Sequence, residues 1–222
     1  MRNYFSSLLR SVQTFFEEDS ASGKRICVVG LGNPGKQYAA TRHNVGFNVV
    51  ASLSQALRSR MFDGNGDYLF SEARAENRPL LLTTPMTYMN DSGIAVVQIM
   101  EQFHVAPSDL LIVLDDFQLP LGTLRIRPEG SDGGHNGLAS VIYQVQSEKI
   151  PRLRIGIAGA TCPAQERKEV MAEYVLSPFD KEETKLAAAM VDRARDAVLA
   201  LVANGIEFAM NNFNRSFLET EP

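Results

Sequence analysis

Short apolar runs alternate along this chain with longer stretches in which apolar residues recur every three or four positions. Short apolar or alternating runs bounded by glycine, proline and acidic residues are typical of buried strands. The run that ends at Leu114 is followed at once by Asp115 and Asp116, so we expect that strand to stop there. The pattern predicts strands over residues 26–29, 68–75, 79–84, 110–114, 123–127 and 152–157.

The longer stretches have the spacing of amphipathic helices. One is expected to begin at residue 91 or 92, where Asp91 or Ser92 could cap it, and to run to Phe103. Its apolar stripe consists of Ile94, Val97, Met100 and Phe103. The other helices are predicted over residues 44–58, 138–145 and 178–203.

Apolar strands that end in polar loops and are followed by helices indicate an α/β fold. We expect a single domain with a mixed, mostly parallel, twisted β-sheet flanked by helices on both faces. At 222 residues the chain suits one such domain with a substantial core. The boundaries that we predict are a flexible N-terminal extension over residues 1–24, the domain over 25–215 and a C-terminal tail over 216–222.

Composition narrows the class of protein without identifying it. Hydrophobic residues make up 45% of the chain and charged residues 22%, which is typical of a globular protein. No apolar run approaches the length of a membrane span, so we expect no membrane partner. The two cysteines, Cys27 and Cys162, lack the spacing of metal ligands and are expected to stay reduced, which favours a cytoplasmic protein.

A glycine-rich loop follows the first predicted strand. Gly30, Gly32 and Gly35 have the G-x-G-x-x-G spacing of a dinucleotide-binding loop, but such a site also needs an acidic residue about 20 positions later. Residues 36–62 contain no Asp or Glu, and Pro34 removes one of the backbone N–H groups that would bind a pyrophosphate. We therefore expect a tight turn and no nicotinamide or flavin cofactor.

Polar side chains that can perform chemistry follow several predicted strands, at ends that can converge on one edge of the sheet. A histidine beside an aspartate is a general-base pair, in which the carboxylate orients the imidazole. No Ser or Cys has the context of a nucleophile, so an activated water is the expected attacking group, and the His spacing does not suggest a metal site. The polar positions are Asn33, His43, Tyr88, Asn90, Asp115, His135 and Asn136.

Each of these residues also has a structural interpretation. His43 could cap the helix that comes after it, and Asp115 could be a solvated carboxylate at a strand end. His135 is better explained as packing in its loop than as the base. His104 is expected to be exposed and without a role.

Charge is unevenly distributed along the chain, whose net charge is −4. The segment 123–154 carries a local excess of positive charge, and Arg125 and Arg127 are expected on the same face of their strand. Such a face permits binding of nucleic-acid phosphates without proving it.

Taken in order, these motifs closely resemble the bacterial-type peptidyl-tRNA hydrolase family. The resemblance runs from about Ile26 to Phe213. The segments that carry it are 29–35 (VGLGNPG), 41–46 (TRHNVG), 85–93 (PMTYMNDSG), 115–116 (DD), 133–137 (GGHNG) and 152–157 (RLRIGI).

The resemblance implies a monomeric cytoplasmic enzyme that cleaves the ester between a peptide and the 3′ end of tRNA, recycling tRNA from prematurely released chains without a cofactor or metal. It makes His43 the base that activates water, Asp115 the carboxylate that supports it, and Asn33 a residue that distinguishes N-blocked from free aminoacyl groups. The implied contacts to the peptidyl group and the tRNA acceptor end are Tyr38, Tyr88, Met89, Asn90, His135 and Asn136, with Arg125, Arg127 and Arg154 on tRNA phosphates.

The chain departs from the family pattern at two positions. Gln118 stands where the family usually has an acidic residue, and Glu129 lies in a loop that is often basic. We expect the first to alter the support around Asp115 and the second to weaken tRNA binding. Residues 160–168 also match the family loop poorly.

Overall fold

The computed structural model describes residues 25–163, 168–214 and 216. The predicted N-terminal extension, 1–24, lies outside the described residues, as do parts of the 160–168 segment and all but residue 216 of the predicted tail. Within the described part, the strands form one sheet. They are β1 (Ile26–Gly30), β2 (Phe62–Asp63), β3 (Tyr68–Ala75), β4 (Arg78–Pro85), β5 (Leu110–Pro120), β6 (Leu124–Arg127) and β7 (Arg152–Ala158).

The sheet has the strand order β2-β3-β4-β1-β5-β7-β6. In the centre of the sheet, β1 pairs in parallel with both β4 and β5, and β5 pairs in parallel with β7. The pairs β2 with β3, β3 with β4, and β6 with β7 are antiparallel. All strands except β3 and β6 therefore run in one direction, which confirms the prediction of a mixed, mostly parallel sheet.

Helices cover both faces of the sheet, as predicted. Apolar side chains of β1, β4 and β5 on one face pack in a core with α1, α5 and α6, and those on the other face pack with α2 and α3. The strands are apolar on both sides because both sides are covered. The helices are α1 (Val45–Ala56), α2 (Ser92–Phe103), α3 (Asn136–Val145), α4 (Lys168–Val175), α5 (Thr184–Asn204) and α6 (Ile206–Phe213).

Cys27 lies at the centre of this arrangement, on β1. Its side chain is fully buried, with Sγ 3.8 Å from Oγ1 of Thr83 on β4. Cys162 is partly exposed, and both cysteines are free thiols. Among the described residues, no helix has the length and apolar character needed to cross a membrane.

The strand β5 is longer than its apolar pattern indicated. It continues through Asp115 and Asp116 to Pro120, which pairs with Ala158 after an irregularity in the register. The close approach depends on Gly156, because a Cβ there would lie 2.1 Å from the Pro120 carbonyl oxygen. The prediction that the strand stops after Leu114 was therefore wrong.

The helix α2 has the predicted length, but its buried face matches the predicted stripe only in part, because Phe103 is buried and Val97 and Met100 are partly buried while Ile94 is exposed. Ile94 is 42% exposed, whereas Ala95, Val96 and Ile99 are buried. The reason is the close crossing of α2 and α3, where a Cβ on Gly93 would meet the Ser140 carbonyl oxygen at 2.2 Å. Backbone contact at a glycine, rather than the largest side chains, sets the rotation of this helix.

The predicted helix over residues 178–203 begins later, at Thr184. The residues before it form a loop in which the backbone of Pro178 pairs with that of Thr41 in an isolated bridge. The helices α4 and α6 and the short edge strand β2 were not predicted.

Candidate active site

The site lies where β1, β4 and β5 end. The Leu31 N–H donates to the Val113 carbonyl at 2.9 Å, so the loop leaves β1 while still paired to β5. Gly46 allows the next helix to begin against this point, because a Cβ there would lie 2.4 Å from the Val113 carbonyl oxygen. The loop and the start of α1 are thereby fixed over the sheet edge.

Asn33 is held by two neighbouring elements. Its backbone N–H donates to Oδ1 of Asn44 at 2.9 Å, and Nδ2 of Asn44 donates back to its carbonyl at 2.9 Å. Its own side-chain Oδ1 accepts the backbone N–H of Met89 at 2.8 Å. Because the oxygen is used in this way, the side chain offers the cleft its Nδ2 donor.

His43 and Asp115, 72 residues apart in sequence, are in direct contact. Nδ1 of His43 lies 2.7 Å from Oδ1 of Asp115. The carboxylate is 1% exposed and the histidine 9%. A buried carboxylate accepts rather than donates, so Nδ1 carries the proton, and the Nε2 of the neutral ring has the lone pair.

His135 contacts the same carboxylate oxygen. Its Nε2 lies 3.0 Å from Oδ1 of Asp115, and its Nδ1 accepts the backbone N–H of Leu138 at 3.2 Å. A ring nitrogen that accepts a hydrogen bond is unprotonated, so the proton of His135 is on Nε2 and is donated to Asp115. In this arrangement His135 caps α3 and supports the carboxylate, and His43 has the basic nitrogen.

Electrostatics at this pair favour an ionised Asp115. Burial alone would lower the pKa of His43, but the charge of Asp115 and its hydrogen bond outweigh burial and raise that pKa above its usual 6.5. Burial would raise the pKa of Asp115, yet interaction with the two histidines holds it well below its usual range. Asp115 is therefore a carboxylate at neutral pH.

The same three residues can be considered as a metal site. His43, Asp115 and His135 offer ligand atoms that all lie within 4.8 Å of one another. Ligands around tetrahedral Zn²⁺, at about 2.0–2.2 Å from the ion, are roughly 3.3 Å or more apart. The 2.7 and 3.0 Å separations are those of hydrogen bonds, so this geometry does not fit a bound metal.

A cleft of about 830 Å³ opens over these groups. Residues that the sequence places far apart line it together. The cleft-lining residues among those predicted from sequence are Asn33, Tyr38, His43, Tyr88, Met89, Asn90, Asp115, His135 and Asn136.

A second group of cleft-lining residues was missed by sequence reasoning. Its apolar part combines Phe117, on the unpredicted extension of β5, with the α4 segment. The signal for α4 was weak, because its sequence mixes charged and apolar residues along a short helix. The α4 segment contributes Glu169, Met171, Ala172, Val175 and Leu176 to the cleft.

The arginines predicted to bind phosphate do not line the cleft. Arg125 and Arg154 are paired in register on β6 and β7, and Arg127 is paired in the same way with Arg152, so all four side chains start from one face of the sheet. Arg152 is buried on backbone carbonyls, whereas Arg127 is exposed. Nε of Arg154 lies 2.5 Å from Oδ2 of Asp116, beside the catalytic candidate Asp115.

Comparison with known proteins gives a consistent result. A sequence model described as peptidyl-tRNA hydrolase matches residues 27–221. The chain is 44% identical over 191 residues to the peptidyl-tRNA hydrolase of Chlorobium phaeobacteroides, covering 86% of this chain and 98% of the relative. It is 42% identical over 192 residues to that of Aquifex aeolicus, covering 86% and 97%. The crystal structure of peptidyl-tRNA hydrolase from Acinetobacter baumannii superposes with a TM-score of 0.79 at 33% identity, covering 86% of this chain and 95% of that one.

Proposed function

The chain belongs to the peptidyl-tRNA hydrolase family, and we propose that it hydrolyses the ester between the peptide and tRNA with a water activated by His43 and Asp115 and without a metal. The observation that carries the proposal is the 2.7 Å contact between Nδ1 of His43 and Oδ1 of Asp115 at the floor of the cleft. Hydrolysis of peptidyl-tRNA that has left translation prematurely would give a free peptide and a reusable tRNA.

His43 acts as the base in this mechanism. Its Nε2 takes a proton from water, and the resulting hydroxide attacks the ester carbonyl carbon. The imidazolium that forms is stabilised by Asp115, which the Nε2–H of His135 holds in place. A positioned general base of this kind contributes about 10²–10⁴ in rate.

Collapse of the tetrahedral intermediate completes the reaction. The C–O bond to the terminal ribose breaks, and the imidazolium of His43 returns its proton to the departing ribose oxygen. Nδ2 of Asn33 is a donor available in the cleft, and it suits the amide carbonyl oxygen that an N-blocked aminoacyl group carries next to the ester. The same donor favours an N-blocked aminoacyl group, which presents a peptide carbonyl that a free aminoacyl group lacks.

The other polar residues of the cleft are proposed to hold the two ends of the substrate around the ester. Tyr38 and Tyr88 meet edge to face, with ring centroids 6.4 Å apart, and Tyr88 is 59% exposed. Such a pair suits contact with the terminal base or ribose. Asn90 and Asn136, both exposed at the cleft, offer amide groups to the peptide backbone, and the buried Met89 adds an apolar side chain to the same cleft.

The tRNA body is proposed to lie over the basic face of β6 and β7. Arg125, Arg127 and Arg154 supply positive charge next to the cleft, where the phosphates of the acceptor stem would pass. Glu129 is exposed in the adjoining loop and would weaken this contact.

We propose further that one copy of the domain, residues 25–215, suffices for the reaction. The residues assigned to the chemistry and to the peptidyl end line one cleft formed within one copy. The two free thiols are consistent with the reducing cytoplasm in which peptidyl-tRNA is made.

The test is turnover of an N-acetylaminoacyl-tRNA by the full-length protein with a chelator present. We expect release of tRNA and acid from this substrate and little release from the same tRNA carrying a free aminoacyl group. Binding of the N-blocked substrate without release, both with and without the chelator, would instead identify an RNA-binding relative without catalysis and contradict the proposal.

A further inference from the structure

Gln118 lies three residues after Asp115 on the extended end of β5 and lines the cleft. Its side-chain Nε2 donates to the Gly133 carbonyl at 2.9 Å. Its backbone N–H donates to Oδ1 of Asp116 at 2.8 Å, and this hydrogen bond fixes the backbone of Gln118. The side chain thus reaches from the strand that carries Asp115 to the loop that precedes His135.

That loop is held at its start and at its apex by different groups. At the start, Nη1 of Arg152 donates to the carbonyls of Gly130 and Ser131 at 2.7 and 3.0 Å. Near the apex, Gly133 and Gly134 have φ angles of +61° and +83°, which the absence of a side chain permits. Two successive glycines leave the backbone little intrinsic stiffness, so an external restraint at Gly133 has a large effect on the residues immediately after it.

Those residues are His135, whose Nε2 is the second donor to Asp115, and Asn136 at the mouth of the cleft. The other described hydrogen bonds of the apex are local: the Gly134 N–H reaches Oδ1 of Asp132 at 2.7 Å, and the His135 N–H reaches the Asp132 carbonyl at 3.1 Å. His135 itself is also held by the first turn of α3, where its Nδ1 accepts the Leu138 N–H and its carbonyl accepts the Ala139 N–H. Movement of the apex would therefore strain the short backbone link from Gly134 to His135 and Asn136.

We propose that Gln118 is a positioning residue for the hydrolysis, which its amide donor supports by restraining the loop so that His135 and Asn136 stay in register with Asp115. This inference rests on the proposed function. The contact with the Gly133 carbonyl requires an N–H donor at position 118, because a carbonyl oxygen accepts only, and an ionised carboxylate there could not make it.

Two substitutions separate the donor from the oxygen of this side chain. Gln118→Met removes both at nearly constant length, and Gln118→Glu keeps the acceptor oxygens while removing the donor. We expect both to lower kcat about three- to tenfold, the range for one net hydrogen bond. Any rise in KM should be smaller than this fall, because the arginine face is untouched and only the Asn136 contact with the peptide is disturbed. Gln55→Met, at an exposed position on α1, is the matched control and should change neither constant.

A second readout does not depend on activity. Amide hydrogen exchange of residues 131–137 should become faster in Gln118→Met and stay unchanged in the strands, because the restraint on the loop alone is lost. Since Gln118 is exposed, the variants should fold normally, and thermal unfolding checks this.

Each outcome of these experiments has a distinct meaning. A wild-type kcat in Gln118→Glu would show that the Nε2 donor is not needed, and it would overturn the proposal. A fall in kcat without faster exchange in the loop would make Gln118 a direct substrate contact, and a change confined to KM would also overturn positioning. A wild-type protein that releases no tRNA would instead contradict the proposed function, whatever the exchange data show.

Discussion

Asp115 accepts hydrogen bonds from two imidazoles through a single oxygen, and this sharing decides which histidine can take a proton. The Leu138 N–H occupies Nδ1 of His135, so that ring is committed to donating through Nε2. Among the described hydrogen bonds, none occupies the Nε2 of His43, so this nitrogen can accept a proton. Two histidines that look equivalent in the sequence are therefore distinguished by one backbone N–H at the start of α3.

The first prediction at this scale concerns His43→Ala. Turnover of N-acetylaminoacyl-tRNA should fall by about two to four orders of magnitude, because proton transfer is removed. Binding of the substrate should change little, since no phosphate contact is lost. The measurement is single-turnover hydrolysis together with a binding titration.

The matched control is His104→Asn, because His104 is exposed at the end of α2 with a φ of +53° that asparagine tolerates. It should retain the wild-type rate. Turnover close to wild type in His43→Ala would remove His43 as the base.

The second prediction concerns pH. A base must be neutral to act, so kcat/KM of the wild type should rise with pH and reach half its maximum above pH 6.5, because Asp115 raises the pKa of His43. In Asp115→Asn this stabilisation of the imidazolium is lost, so the midpoint should move to lower pH while the plateau falls by about 10²–10⁴. The measurement is a profile of kcat/KM from about pH 5 to 9, which spans the range over which histidine titrates.

Asp192→Asn, at an exposed aspartate on α5, is the control for this change and should reproduce the wild-type profile. If the midpoint of the pH profile does not move in Asp115→Asn, the ionisation that controls kcat/KM is not that of His43.

At the scale of elements, the position of His43 depends on the residue before it. Arg42 is 1% exposed and lies between the rings of Tyr174 and Phe179, with Cζ 4.5 and 4.9 Å from their centroids. Its guanidinium donates to the Pro178 carbonyl at 2.7 Å and to Glu183 at 2.8 Å. One side chain thus connects the short 3-10 turn that carries His43 to α4 and to the loop that leads into α5.

The third prediction concerns this connection. Arg42→Met should destabilise the protein by about 3 kcal/mol and lower Tm by roughly 6–12 °C, because it leaves the Glu183 carboxylate without its cationic partner and removes the guanidinium from between two rings. Arg42→Lys should recover only part of the loss, since an ammonium lacks the planar fork. Thermal unfolding gives the comparison.

Arg195→Met provides the contrast. Arg195 pairs with Asp192 and Asp196 at the surface, where ion pairs contribute about 0–1 kcal/mol. A similar Tm for the Arg42 and Arg195 variants would mean that the interactions of Arg42 add nothing beyond a surface pair.

The elements also show where the sequence pattern is sufficient and where it is not. Apolar runs were enough for β1, β3 and β4, because turns bound each of them and buried side chains mark their core-facing positions. They failed for the end of β5 and the rotation of α2, because Gly156 and Gly93 act through contacts with distant backbone atoms. A glycine that admits a neighbouring carbonyl leaves no trace in a hydrophobic pattern.

At the scale of the whole molecule, the cleft opens where the central strands β1 and β5 end, and the basic face lies on β7 and the edge strand β6. The polar loops could be placed together from sequence because parallel strands bring their carboxyl ends to one edge. The apolar wall from α4 and the partners of Arg42 could not, because they come from segments far along the chain, with Pro178 separated from Arg42 by 136 positions. Roles of individual residues came from resemblance to the family rather than from pattern.

The fourth prediction concerns this basic face. Arg127→Ala should raise KM and reduce the slope of log KM against log salt by about one, because one phosphate contact and its released counterion are lost. Turnover at saturation should stay near that of the wild type. The measurement is KM over a range of potassium concentrations.

Arg78→Ala is the matched control, since Arg78 is exposed at the opposite end of the sheet, where β4 begins. An equal change in both variants would mean that general charge, and not the face on β6 and β7, governs association with tRNA.

The burial of Cys27 provides a way to monitor the integrity of the sheet. Burial raises the pKa of its thiol to about 12, despite a hydrogen bond with Thr83, and only the thiolate reacts readily with alkylating reagents. The folded protein should therefore incorporate one equivalent of iodoacetamide, at Cys162, and the denatured protein two. Slow appearance of the second adduct under native conditions would then time the rare openings that separate β1 from its neighbours.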